Sequence, residues 1–480
     1  MRMRGFPARG YAGPCAPLSV LPCGPERLAH LPVAVGSQAL SVLGGGLSAF
    51  AMNIYLTQTR FPLEAQRADL AAALALTGLG AVLATLLGVP LAGALADRWD
   101  RRRMMLAADL LGASLLALLV LAVTLGTPPL WLLVAFSAVQ GLTGAFHGSA
   151  FDTSYRTLVP EAQLPRANGL MQTLWSLSGL LSPALAALLV GLPALARAAS
   201  GPLAQTPLAG LRDGVPLALG LDALSFLLAA LVVWRLRIPT PPRRDLVAAA
   251  RRPTLAQDMR FGWGFIFRRP ALLHLLLTFA AMNLLTSGVG VVHPLLVRFT
   301  LVPDLAARGV SQEAALATLW TAMSAGGLCG GLLVSAWGGL RRRRVLGVLV
   351  PMVLAGAAQG VGGAAGTLPL TAAAIAAFGV MTPVLNAHSQ SIWQSRVPAE
   401  MQGRVFSSRR LIAQFTAPVS TALAGVLAAR LAPGSLLVGS GLLIVVVSGL
   451  QLLNPVLRRV DEPGADPAVE GPVPGAAPQP

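Results

Sequence analysis

Apolar runs of about twenty residues, broken by short polar or glycine- and proline-bearing intervals, recur from residue 34 to residue 455 of this chain. A run of that length matches one helical crossing of a hydrocarbon layer about 30 Å thick. The runs are too long and too evenly apolar for the alternating strands of a membrane barrel. The pattern predicts an all-α membrane protein with about twelve spans, near 34–56, 69–95, 104–126, 130–152, 166–192, 215–236, 271–296, 313–337, 345–363, 367–392, 404–428 and 434–455. The longest basic interval, 237–270, contains Pro239, Pro241, Pro242 and Pro253. It is read as a cytoplasmic linker between two six-helix halves, 33–236 and 271–459. Residues 1–32 and 460–480 are expected to be disordered tails; the first lacks the continuous apolar core of a signal peptide.

Charge sets the orientation. Only 11% of the 480 residues are charged and 55% are hydrophobic, whereas soluble domains carry about 25% charged residues. All 36 basic residues are arginine, and 29 of them fall in the tails and in the even-numbered loops. The other seven are Arg60, Arg67, Arg197, Arg212, Arg298, Arg308 and Arg430. This bias places both termini in the cytoplasm. It also accounts for the net charge of +17 without nucleic acid as a partner. Cys15, Cys23 and Cys329 form neither a disulfide framework nor a metal-ligand spacing. There is no phosphate-binding Gly-Lys loop, so ATP-driven pumping, enzyme activity and a bound cofactor are not expected.

The halves read as copies. Leu158-Val159-Pro160-Glu161 closes the fourth span and Arg166-Ala167-Asn168-Gly169 opens the fifth. Arg396-Val397-Pro398-Ala399-Glu400 and Gly403-Arg404-Val405-Phe406 take the same places 238 residues later. The loop Gly338-Gly339-Leu340-Arg341-Arg342-Arg343-Arg344 is a degenerate copy of the loop after the second span, without its aspartate.

That earlier loop, Gly93-Ala94-Leu95-Ala96-Asp97-Arg98-Trp99-Asp100-Arg101-Arg102-Arg103, resembles the loop signature of the major facilitator superfamily of secondary transporters. Asp100 stands where the signature has glycine, a mild departure if this position is left-handed, since aspartate tolerates that backbone better than most residues. Gly36–Gly44 in the first span, Leu221–Phe226 in the sixth and Gly403–Ser407 at the eleventh are similar to the efflux branch that includes enterobactin exporters and macrolide efflux proteins. The resemblance implies a monomeric twelve-helix transporter with a small-molecule site at the interface of its halves. It further implies proton-coupled export of amphipathic compounds by alternating access. A metabolite importer of the same fold, or a transport-inactive scaffold or lipid-moving protein, remains the alternative.

The resemblance also assigns residues. Gly93, Asp97, Arg98, Arg101 and Asp152 would form the gating motif, with Asp97 capping the start of the eleventh span near Phe406 to Ser408 and Asp152 pairing the arginines. Gly179-Leu180-Leu181-Ser182-Pro183 resembles an antiporter motif in which small residues permit close helix approach and a bend at Pro183. From the residues themselves, carboxylates in apolar helices are costly and mark function. Asp222 is the preferred proton site. Asp109 and His147 are the other candidate proton sites, Asp109 is also expected to join the arginine loop, and His388 is a further titrating group. Gln38, Asn53, Gln140, Trp175, Asn283, Asn386 and Gln390 are candidates to face a cavity whose walls, with so few charges, should be mainly apolar.

Overall fold

The computed structural model describes residues 26–96, 99–158, 164–199, 202–235, 255–340, 342–398 and 402–461. In chain order the helices are α1 (Glu26–Ile54), α2 (Arg67–Ala96), α3 (Arg101–Leu125), α4 (Leu130–Leu158), α5 (Leu164–Ala198) and α6 (Val215–Arg235). They continue as α7 (Leu255–Phe267), α8 (Pro270–Thr286), α9 (Val289–Phe299), α10 (Val302–Arg308), α11 (Gln312–Trp337) and α12 (Arg344–Ala364). The last four are α13 (Leu368–Arg396), α14 (Gln402–Ala428), α15 (Pro433–Leu453) and α16 (Pro455–Arg458). Helices are the outcome physics requires, because backbone polar groups in hydrocarbon must pair within their own segment.

Among the described residues eleven helices are long and apolar enough to cross a membrane. The expected eleventh crossing is α14, within which Phe415–Ala428 is a shorter apolar stretch among the described residues. The expected seventh crossing is divided into α8 and α9 at Ser287–Gly288. The repeat seen in the sequence persists in three dimensions: α4 and α13 both have 29 residues and both begin and end 238 positions apart.

Helix starts follow the capping rules. Ser311 accepts from Ala314 N at 3.2 Å and Asp100 accepts from Arg103 N at 3.2 Å. Asp100 is therefore the N-cap of α3, with φ −65° and ψ 110°, and not a left-handed residue as its position in the signature suggested. In the second copy of the loop the left-handed positions are Gly338, Gly339 and Arg343, with φ of 76°, 74° and 56°.

Small residues fix the helix spacing. A Cβ at Gly141 would overlap the Ala81 carbonyl where α4 crosses α2, and one at Gly326 or Gly330 would overlap the carbonyl of Ala376 or Val380 where α11 crosses α13. Close backbone approach of this kind replaces the hydrophobic effect as the source of helix association in lipid. Gly330→Ala is expected to lower stability by about 2 kcal/mol, since the obstacle is backbone and cannot rotate aside. A thermal shift in detergent checks this; an unchanged midpoint would show that the helices separate freely.

Between spans, α10 is tied to α13 by Asp304, which accepts from Leu368 N at 2.8 Å and from Arg308 Nε at 2.9 Å. The Leu368 amide first, and Arg308 after it, hold this carboxyl below the usual range. Its contribution is present above the ordinary carboxylate range and is lost as pH falls through the lowered value. The stability difference between wild type and Asp304→Asn should thus persist at neutral pH and close only in strong acid.

The two ends of the bundle differ. At the arginine-poor end one apolar cluster unites the halves: Leu47, Phe50, Leu56, Leu70 and Leu219 pack with Val291, Leu295, Leu316 and Leu319. At the arginine-rich end each half has a cluster of its own. Met104, Met105, Phe151 and Val233 form one, and Ile266, Leu272, Val348 and Trp393 form part of the other. Polar ties cross the halves at the arginine-poor end as well. Arg298 Nη2 donates to the Pro62 carbonyl and Arg67 Nη2 donates to the Leu431 carbonyl, both at the arginine-poor end. Arg67 also lies over the Phe299 ring at 5.7 Å.

Candidate functional site

A cavity of about 840 Å³ lies between the halves, and its walls are mostly apolar. Its polar groups come mainly from the N-terminal half: Gln38, Ser41, Ser48 and Asn53 of α1, Thr77 of α2, Gln140 and His147 of α4, Ser178 of α5 and Asp222 of α6. The C-terminal half contributes Ser287, Gly290, Val291 and Thr421. The volume is of the order that holds a drug-sized molecule.

Asp222 sits seven residues into α6 and is fully buried. One carboxylate oxygen accepts from Ser48 Oγ of α1, and the other lies 3.1 Å from Ser225 Oγ one turn further along α6. A Cβ at Gly44 would overlap both Asp222 and Ser225, so only glycine lets α6 bring this carboxyl against α1. The two segments singled out in the sequence, Gly36–Gly44 and Leu221–Phe226, therefore meet at one contact. On the other flank of α1, Ser178 and Ser182 of α5 donate to the Val42 and Leu43 carbonyls, each at 2.9 Å. Gly179, in the stretch around Pro183, lies against Ser324 of α11, which is the close approach its composition predicted.

The arginine loop, whose Arg98 lies outside the described residues, is not the described neighbour of Asp109. Asp109 lies eight residues into α3, about 12 Å along the axis, and its carboxylate meets His147 Nδ1 at 2.8 Å. His147 Nε2 is 3.1 Å from Gln38 Oε1. Phe151 stacks on the imidazole with 6.4 Å between centroids.

His388 serves the second arginine loop. Its Nε2 accepts from Leu340 N at 2.7 Å while Nδ1 lies 2.7 Å from the Val384 carbonyl, which fixes the neutral tautomer with its proton on Nδ1. It thereby anchors a loop that lacks the aspartate of the first copy.

Of the gating residues, Asp97 and Arg98 lie outside the described residues, and the side chain of Asp152 is likewise outside them, as is that of Trp175. Gly93 lies near the end of α2, and Arg101 is buried at the start of α3. Gln38, Asn53 and Gln140 line the cavity. Asn283, Asn386 and Gln390 are not among its lining residues; Asn386 is exposed and Gln390 accepts from Arg409 Nη1 at 3.0 Å. Among the described residues no three His, Cys, Asp or Glu side chains gather as a metal site.

A helical bundle with eleven described membrane-length helices and a mainly apolar cavity, whose wall holds the buried carboxyl of Asp222, has the architecture of a membrane transporter. The sequence pattern of the Major Facilitator Superfamily matches residues 34–421, and the chain belongs to that family. It is similar to macrolide efflux protein A of Streptococcus pyogenes, 24% identical over 429 residues, covering 88% of this chain and 95% of that protein. It is also similar to the multidrug efflux pump Tap of Mycolicibacterium fortuitum, 25% identical over 434 residues, with 88% and 97% covered. The resemblance to the efflux branch read from the sequence therefore stands. Among solved structures, a bacterial homolog of the human lysosomal transporter Spinster in an inward-facing, unoccupied conformation superposes with a TM-score of 0.65. The two are 15% identical, with 92% of this chain and 98% of that one covered.

Proposed function

We propose that this protein is a proton-coupled exporter of amphipathic small molecules, working by alternating access in the bacterial inner membrane with both termini in the cytoplasm. The observation that carries the reading is the asymmetry of the bundle around its cavity. One apolar cluster shared by both halves closes the arginine-poor end, while the halves keep separate clusters at the arginine-rich end. With the arginines in the cytoplasm, this is an inward-facing arrangement, and rocking the halves about the cavity presents it to the other side.

The scarcity of charge in the walls favours amphipathic substrates, in keeping with what the macrolide and multidrug efflux relatives are named for. Asp222 supplies the group that exchanges a proton. It is fully buried, held by two hydroxyls and by no described cation, so charge movement at this carboxyl is costly and couples to rearrangement.

The test is accumulation of fluorescent dyes and macrolides in an efflux-deficient bacterium expressing the chain. Lower accumulation, restored by a protonophore, is expected. Higher accumulation of a compound on expression would overturn the direction, and export unaffected by the protonophore would overturn the coupling.

A further inference from the structure

A second cavity of about 610 Å³ lies between α3 and α4, toward their arginine-rich ends. Its outer end is polar: Trp99, Asp100 and Arg103 stand there, with Arg103 Nε 3.8 Å from Asp100 Oδ2. Inward the lining turns apolar, through Met104, Leu111, Leu142 and Phe146. Asp100 and Leu111 are eleven residues apart. That is about 16 Å along α3, roughly the hydrocarbon depth of one leaflet. A tryptophan and an ion pair at one end, with apolar walls behind them, follow the profile of a bilayer from headgroups to midplane.

The open side of this cleft faces lipid. α3 packs chiefly against α4 and α6. On its remaining face Arg103, Ala107, Leu111, Ser114 and Leu118 form one stripe at helical spacing, exposed at every position. The inner side of the cleft is the central cavity. Ala108 and Thr143 line both spaces, so the two share a wall. That wall is thin. Ala108 offers only a methyl group, and beside Thr143 stands Gly144, where an added Cβ would meet nothing within 4 Å. The wall also holds no unpaired hydroxyl, since Thr143 Oγ1 donates to the Gln140 carbonyl of its own helix at 2.9 Å. An apolar compound crossing there strands no polar group.

We propose that the α3–α4 cleft is an entry vestibule through which amphipathic cargo passes from the cytoplasmic leaflet into the central cavity, with Ala108 and Thr143 as its threshold. The inference rests on the export reading above and gives the cargo a source: compounds dissolved in the membrane rather than in the cytosol. Such a compound lies with its polar part at the interface and its apolar part below, the order in which the cleft is lined. It slides sideways without leaving an apolar environment, whereas entry through the aqueous opening first exposes its apolar surface to water. A resident phospholipid is the rival occupant. The shared wall favours cargo, because a structural lipid has no use for a thin partition behind it.

The test uses the full-length protein in nanodiscs, with a BODIPY-labelled macrolide supplied in the bilayer and its binding followed by fluorescence anisotropy. Ala107 lines the cleft and not the central cavity, so Ala107→Trp fills the vestibule alone. Leu110→Trp is the control, at an exposed position of α3 outside both linings. Blocking a route slows entry and exit alike and leaves the equilibrium unchanged. Association and dissociation are therefore expected to slow about tenfold or more in Ala107→Trp, with Kd within about twofold of wild type. Leu110→Trp should keep the wild-type rates. Wild-type rates in Ala107→Trp, equal slowing in Leu110→Trp, or a weakened Kd in place of slowed rates would each overturn the vestibule. So would native mass spectra showing a phospholipid that is lost in Ala107→Trp and that the macrolide does not displace. Slowed binding in Ala107→Trp together with a wild type that exports nothing would keep the route and overturn the export reading.

Discussion

Asp222→Asn is expected to abolish ΔpH-driven export while leaving the protein folded and able to bind substrate. The amide has the shape of the carboxyl and keeps an oxygen to accept from Ser48, so the α1–α6 contact at Gly44 survives. What it loses is the capacity to alternate between charged and neutral forms, which no other group held by Ser48 and Ser225 can replace. Transport in everted vesicles should fall below about one tenth of wild type, a loss of at least about 1.4 kcal/mol in the driving step. Exchange of substrate at equal pH on both sides should continue. If Asp222→Asn exports at the wild-type rate, Asp222 is a structural hydrogen-bonding group and nothing more. Asp222→Ala would be a poor substitute, since it also empties the space Gly44 was shaped to leave.

The second large effect is expected from the Arg67→Ala, Arg298→Ala double variant. Each guanidinium donates to a carbonyl of the opposite half, Arg298 to Pro62 and Arg67 to Leu431, and Arg298 Nη1 also reaches Gln312 Oε1 at 3.1 Å. A charged donor on a neutral acceptor is worth about 1 kcal/mol when partly exposed, as here. Removing both should change the balance between the two access states by about 2 kcal/mol, roughly a 30-fold shift toward the state open at the arginine-poor end. Spin labels placed on the α1–α2 and α9–α10 connections would show the longer distance gaining population. An unchanged distance distribution would mean that the shared apolar cluster alone holds this end closed.

Much of the fold was legible because hydrocarbon leaves the chain few choices. Run length gave the spans, and a 238-residue offset gave the repeat that reappears as α4 and α13. Asp222 stood out as a carboxyl in an apolar helix. Its partner Ser48 did not, since 174 residues separate them and nothing in the spacing of either helix records which faces meet. Asp109 was read incompletely for a related reason. Position along a helix gives depth, and depth alone suggested the arginines, but the direction of its side chain leads to His147. Arg67 and Arg298 entered the sequence reading only as exceptions to the charge bias, and that exception was the signal for the closure they make. Asn283, Asn386 and Gln390 were chosen for polarity alone, which cannot distinguish a cavity wall from a helix contact such as that between Gln390 and Arg409.

Among the described residues nearly every polar group in the cavity wall belongs to the N-terminal half, and the C-terminal half supplies Ser287, Gly290, Val291 and Thr421. On the proposed export reading, discrimination among compounds would then be written in one half of the molecule, with the other half as a smooth piston face. Such a division lets the cargo preference drift by substitutions on α1, α4 and α6 without disturbing the moving parts. A hybrid joining this N-terminal half to the C-terminal half of a distant efflux relative would accordingly inherit its chemical taste from the N-terminal parent.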